Sequence, residues 1–186
     1  MNETLKIIRE RFSCRDFTNQ MPTDEQINAI AQAAIQAPSG MNRQHWQVIV
    51  LKNKQLIDEL ENEGLGILER SSPEAYQRIL SRNGTLFYHA PRMIFIAVKD
   101  TQPPGAENVD LGIIAQNVVL AAESLGLASL HCGLAAYAFA GEKAEDFKKR
   151  LGFPQGYTCG IGVLIGYAKA KAEPHKPDQS KITIVE

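Results

Sequence analysis

Cysteine is scarce and unpatterned in this chain: three residues in 186, Cys14, Cys132 and Cys159, far apart and without a CxxC pair. An odd, scattered set supports neither a disulfide framework nor a zinc site. Free thiols instead point to a reducing compartment. The four histidines, His45, His89, His131 and His175, show no metal-ligand spacing. No apolar run approaches the roughly 20 residues of a membrane span, and the first ten residues form a polar amphipathic segment rather than an apolar signal core. The sequence therefore predicts a cytoplasmic protein with no membrane partner. An excess of one charge is also missing: 20 Lys and Arg stand against 21 Asp and Glu, with a pI near 6.4. That balance removes the electrostatic case for a dedicated nucleic-acid binder, so any charge that matters is local. There is no internal repeat and no low-complexity segment, and the length suits one domain over residues 1–186.

What is present reads as alternating helices and strands. Leu5, Ile8 and Phe12 fall at helical spacing and predict a first helix ending near Arg11. Thr23 with Gln26 makes a capping box ahead of a second helix with Ile27, Ile30, Ala31 and Ala34 on one side. A buried strand over Trp46 to Leu51 precedes a short helix carrying Leu56, Ile57 and Leu60. Ser72 and Pro73 cap another helix through Leu80, and Met93 to Val98 is apolar throughout, as a central strand is. The segment from Asn108 to Leu125 is apolar nearly all round, which predicts a helix buried against a sheet, a second subunit or both. A short strand over Ala128 to His131, a polar helix over Gly141 to Arg150 and a glycine-spaced strand over Thr158 to Tyr167 follow. The tail is polar and proline-broken yet ends Ile182, Thr183, Ile184, Val185, which predicts a strand-like arm pairing elsewhere. The element order gives an α+β fold with helices around a central mixed, mostly antiparallel sheet.

Four clusters carry chemistry. Arg11, Ser13 and Arg15 alternate with Phe12 and Cys14. In extended chain the first three share one face while Phe12 and Cys14 turn into the core. Guanidinium forks match phosphate oxygens and Ser13 adds a small donor, which suits an anionic cofactor. Two solvated arginines at a helix end would leave the same pattern. The loop from Ala37 to Trp46 sets Ser39, Asn42 and Gln44 between a helix and a strand, a common place for binding residues, although turn chemistry alone accounts for its Pro, Ser, Gly and Asn. Cys132 beside His131 invites a thiol-nucleophile reading. Neighbours on a strand point to opposite faces, however, so His131 is badly placed to activate Cys132. Gly133 instead lets backbone approach a flat ligand. Gly160, Gly162 and Gly166 mimic a dinucleotide fingerprint but lie inside a strand with the wrong spacing, as glycines that permit close packing do. His175 and Lys176, between Pro174 and Pro177, put cationic or hydrogen-bonding groups on a restrained tail, or form a solvated linker.

Together these clusters resemble the nitroreductase family of FMN-dependent oxidoreductases, over nearly the whole chain. Arg11-x-Ser13-x-Arg15-x-Phe17 is similar to the family's N-terminal phosphate and flavin motif. The stretch from Ala37 to Trp46 resembles its most recognisable loop, and Gln116-Asn117 with Leu120-Ala121-Ala122 and Leu125-Gly126-Leu127 resembles its long central helix. The resemblance implies a three-layer homodimer with exchanged C-terminal arms and two FMN sites, each built from both chains. By carry-over Arg11 and Ser13 bind the FMN phosphate, with Phe12 in the same motif, and Arg15 binds the ribityl chain or the flavin edge carrying N1 and O2. Pro38, Ser39, Gly40 and Asn42 come from the other subunit. The backbone at His131, Cys132 and Gly133 faces flavin N5 and O4, Lys176 with His175 closes on the phosphate, and Asn83 falls near a flavin-contacting Asn. The implied reaction passes a hydride from NADH or NADPH through the flavin to an electron-poor small molecule such as a nitroaromatic or quinone. The alternative is a protein that holds or senses a flavin without turnover. The chain departs from the family pattern at His45, where Pro is usual, at His175, where Arg is frequent, and at Leu86, where some members have Lys. The connection from Val98 to Asn108 is short, which implies a reduced lid.

Overall fold

The computed structural model describes residues 2–82, 84–100 and 107–186. The chain begins with α1 (Glu3–Glu10), capped by the Asn2 side chain on Leu5 N–H, and α2 (Asp24–Ile35), where Thr23 and Gln26 form the expected capping box. Strand β1 (Trp46–Leu51) leads to α3 (Lys54–Ser71) and α4 (Pro73–Leu80), then β2 (Arg92–Lys99) and α5 (Glu107–Ser124). Strand β3 (Ala128–Cys132) runs into a 3-10 segment (Gly133–Phe139), followed by α6 (Ala144–Leu151) and β4 (Tyr157–Gly166). No helix among the described residues is long and apolar enough to cross a membrane.

The four strands lie in the order β1-β2-β4-β3, each antiparallel to its neighbour. Among the described residues the parallel component is a single bridge between Ser13 and Ser129. Because side chains alternate across a strand, β2 and β4 feed two separate cores. Ile94, Ile96, Val163 and Ile165 meet α2 and α5, whereas Met93, Phe95 and Leu164 meet the layer of α3, α4, α6 and the 3-10 segment. Both faces of β2 are covered, which is why its run is apolar throughout. Helix α5 buries Ile114, Ala115, Val118, Val119 and Ala122 on the sheet but leaves Val109 exposed and Leu120 half-buried.

One feature differs from the expectations. Helix α3 runs for 18 residues rather than a short stretch. Gly64 and Gly66 each weaken a helix by about 1 kcal/mol relative to Ala, yet Gly64 is where Leu86 sits: a Cβ there would lie 2.8 Å from Leu86 Cδ1. Tertiary packing carries the helix through its weak centre. The tail forms a 3-10 turn at Gln179–Lys181, and residues 182–186 form no strand within this chain. Ile182, Ile184 and Val185 are 66%, 81% and 89% exposed; β1, at one edge of the sheet, pairs with β2 and not with them. The strand glycines do the packing work expected of them: a Cβ on Gly162 would sit 2.8 Å from Ala135 Cβ. Asn83 and most of the connection between Val98 and Asn108 lie outside the described residues.

Candidate functional site

The segment after α1 is extended and held on both sides. Cys14 N–H donates to Ser129 O at 3.0 Å, at the β3 edge. On the other side Thr18 N–H donates to Tyr167 O at 2.7 Å, Lys169 N–H donates to Asp16 O at 3.1 Å, and the Lys169 ammonium pairs with the Asp16 carboxylate at 2.6 Å. Phe12, Cys14 and Phe17 are buried in the core. Arg11, Ser13 and Arg15 are thereby turned outward together, as the alternation requires. They line a cavity of about 370 Å³ with Phe12, Ala172, Glu173 and His175. Since the Phe12 side chain packs inward, it offers this cavity mainly its backbone. Lys176 is exposed beside His175.

This wall is basic, and one of its buried donors is unmatched among the described residues. Arg11 Nη2 donates to Ser13 Oγ at 3.2 Å, while Arg11 Nε is buried with no protein acceptor. A buried guanidinium N–H without a partner costs free energy, which an added acceptor would relieve. Arg15 donates to Ser13 O at 3.5 Å and is otherwise exposed. Glu123 on α5 feels both Arg11 and Lys171 of the tail; burial holds its carboxyl above the usual range despite both cations. A larger cavity, about 500 Å³, lies beside α6. There Lys148 is already paired with Glu145 at 2.8 Å, so size does not mark the site.

The second element is the loop after α2. Met41, Asn42 and Gln44 adopt φ of 52°, 53° and 50°, a left-handed conformation rare outside glycine. Such residues cost of order 1 kcal/mol each and persist where their surroundings over-determine them. Here Asn42 N–H donates to Ser39 O at 2.9 Å and Gln44 N–H to Ser39 Oγ at 3.0 Å. The Gln44 side-chain amide reaches Asn42 Oδ1 at 2.8 Å, and Gly40 N–H donates to the Asp110 carboxylate at 3.3 Å. Pro38, Ser39, Gly40 and Asn42 do not line the Arg11 cavity in the same chain.

Strand β3 ends at the third element. His131 turns toward α5, its Nε2 lying 3.1 Å from Ala115 O, and burial lowers its pKa. Cys132 turns the other way, its thiol reaching Leu86 O at 3.7 Å. The two side chains thus lie on opposite faces, as strand geometry predicts, and no imidazole activates the thiol. Burial pushes Cys132 up to about 11 and Cys159 up to about 12. Gly133 is exposed, with open space where a Cβ would stand. Leu86 belongs to a second strained loop, with Tyr88 and His89 at φ of 50° and 61°. Glu61 fixes it by accepting Phe87 N–H at 2.7 Å, and Thr85 Oγ1 accepts Tyr88 N–H at 2.8 Å.

The raised thiols give a pH prediction. In the unfolded chain Cys132 releases its proton near 9.0, in the folded protein only near about 11. Between those values the unfolded state binds fewer protons, so stability is full below pH 9 and falls as pH rises. At pH 10 this thiol alone costs about 1 kcal/mol relative to neutral pH. Urea midpoints are expected to fall from pH 8 to pH 10 less steeply in Cys132→Ala than in wild type. An identical slope in both would count against the buried, protonated thiol.

Sequence reasoning missed Asp110, Glu61 and Glu123. Asp110 had one visible signal, an acid near the start of a largely apolar helix. Glu61 and Glu123 had none, because their partners lie far away along the chain.

Comparison with known proteins decides what this geometry belongs to. The sequence profile described as "Nitroreductase family" matches residues 8–167. The chain belongs to the nitroreductase family. A crystal structure of a nitroreductase with bound FMN from Desulfitobacterium hafniense DCB-2 superposes with a TM-score of 0.96 at 56% identity, covering 100% of both chains. A nitroreductase with bound FMN from Bacteroides fragilis NCTC 9343 gives 0.89 at 25% identity, again over 100% of both. In sequence, an "NADPH-flavin oxidoreductase" from Vibrio harveyi is 28% identical over 93% of this chain and 69% of its own length. This nitroreductase-family chain is thus similar along its whole length to proteins solved with bound FMN; Arg11, Ser13 and Arg15 lie within the matched residues 8–167, and the tail residues of the same cavity lie beyond them.

Proposed function

We infer that this enzyme is an FMN-dependent oxidoreductase that takes a hydride from NADH or NADPH and passes it to an electron-poor acceptor such as a nitroaromatic or a quinone. The observation that carries this reading is the buried Arg11 Nε without a protein acceptor, in a cavity shared with Ser13, Arg15 and His175. An anionic phosphate supplies what that guanidinium lacks. Arg11 and Ser13 hold the FMN phosphate, His175 and Lys176 close over it, and Phe12 lends backbone. Arg15 lies beside the ribityl chain or the flavin edge with N1 and O2, where its charge stabilises negative charge developing on reduction. The His131–Gly133 backbone approaches the ring at the open space over Gly133, and Asn83 joins the site by family resemblance. FMN, when bound, supplies the two-electron chemistry, so no side chain need act as acid or nucleophile.

The working unit is a homodimer in which Pro38, Ser39, Gly40 and Asn42 of one copy complete the site of the other. Three surfaces support this. The strained loop stands apart from the Arg11 cavity within one chain; Leu5 and Ile8 of α1 and Val109 of α5 are exposed; and the tail presents bare apolar residues. The arm ending at Val185 then packs on the second copy. The three unpaired thiols fit a cytoplasmic setting.

Purified protein is expected to be yellow, to bleach anaerobically on adding NADH or NADPH, and to regain colour with a nitroaromatic or quinone. A protein that neither carries nor takes up FMN would overturn the reading. FMN retained without bleaching would leave a flavin-holding or sensing protein.

A further inference from the structure

Asp110 is a buried carboxylate, 7% exposed, that lies on α5 and lines none of the basic wall. Its Oδ1 accepts Gly40 N–H at 3.3 Å. Seven residues further along α5, Asn117 Nδ2 donates to Ala33 O at 3.0 Å. Seven residues make close to two helical turns, so both groups project from one face of the same helix. They grip two points of one continuous segment, the last turn of α2 at Ala33 and the start of the loop at Gly40. Helix α5 is itself fixed by five side chains buried against the sheet and α2, Ile114, Ala115, Val118, Val119 and Ala122. The grip therefore refers the loop to the buried centre of the fold.

Downstream of Gly40 the chain turns through its three left-handed residues. Ser39 organises that turn internally, by accepting from Asn42 and Gln44. Those bonds shape the turn but do not locate it. Among the described residues the bond from Gly40 to Asp110 is the one that ties the turn itself to α5.

We propose that Asp110 is a positioning residue for the cofactor: acting through Gly40 N–H, it sets where the Pro38–Asn42 loop stands. This rests on the reading of that loop as a wall of the FMN site. Asp110 touches neither cofactor nor substrate. It fixes an exposed loop in advance, so that binding does not have to order it.

The test compares purified wild type, Asp110→Asn and Asp110→Ala by FMN fluorescence titration and by urea unfolding. Asn retains an Oδ1 acceptor at the same reach, so its FMN dissociation constant is expected within about 2-fold of wild type. Ala removes the acceptor and is expected to bind FMN about 10-fold more weakly, the factor for one lost hydrogen bond. Loss of stability in the Ala variant with unchanged FMN affinity would overturn the proposal, as would an Asn variant as weak as Ala. Should Asp110→Ala not fold, Asp110→Glu replaces it: the carboxylate stays but moves by one methylene, and weaker FMN binding is again expected. If wild type binds no FMN, the cofactor reading itself has failed. Hydrogen exchange at the Gly40 amide then decides the tether: slow exchange in wild type that becomes fast in Asp110→Ala upholds it, and fast exchange in wild type overturns it.

Discussion

Replacing Arg11 by alanine is expected to weaken FMN binding by about 100-fold or more while leaving the fold intact. Charge-assisted hydrogen bonds contribute about 1.5–3 kcal/mol each, and a guanidinium fork makes two to a phosphate, so about 3–6 kcal/mol is at stake. Each 1.4 kcal/mol is a factor of about ten. The fold should tolerate the change because, among the described residues, Arg11 makes no salt bridge within 4 Å: its Nη2 meets Ser13 Oγ, its Nε has no acceptor, and Glu123 acts on it only at longer range. Deleting a buried donor without an acceptor removes a cost rather than a support. The FMN-free variant should therefore melt within a few degrees of the FMN-free wild type, and added FMN should raise the melting temperature of wild type far more. Lysine at the same position keeps the charge but loses the fork, and should recover only part of the affinity. Undiminished FMN binding in Arg11→Ala would remove Arg11 from the phosphate site.

The second large effect lies in the core behind that site. Phe95 is fully buried at the centre of β2 and stands across from Gly162 on β4. It meets Phe139 edge-to-face, with ring centroids 5.5 Å apart at 87°. A Cβ on Gly162 would lie 3.4 Å from the Phe95 ring, so the ring fills the space the glycine leaves. Phe95→Ala opens a cavity between the sheet and the 3-10 segment Gly133–Phe139. The expected cost is about 3–5 kcal/mol, from lost burial plus incomplete collapse around the cavity. That is a large share of the roughly 5–15 kcal/mol that holds a typical domain together. Urea unfolding of the FMN-free protein measures it directly; a loss below about 1 kcal/mol would mean that Phe139 and Phe153 close over the gap. Because that segment begins at Gly133, FMN affinity should fall as well, though less than in Arg11→Ala.

Much of the candidate site was legible before any coordinates. The alternation of Arg11, Ser13 and Arg15 with Phe12 and Cys14 is a local pattern, and an extended backbone converts it directly into two faces. The same holds for the opposed side chains of His131 and Cys132, which removed the thiol-nucleophile reading. Illegible features had causes at a distance. The tethers of Gly40 by Asp110 and of Phe87 by Glu61 span 70 and 26 residues, and no periodicity within a window of a few turns reports them.

By itself the sequence determined the local elements: the capping box at Thr23, the doubly buried β2, the apolar α5, the outward face of the basic segment and the family these resemble. It did so because caps, strand alternation and helical stripes are written in neighbouring residues. Only the tertiary structure decided that α3 continues through Gly64, that the strands order as β1-β2-β4-β3, that Arg11 keeps a buried N–H without an acceptor, and that Asp110 reaches the strained loop. Those outcomes depend on which surfaces meet after the chain closes long loops, and on which polar groups that closure leaves satisfied or bare.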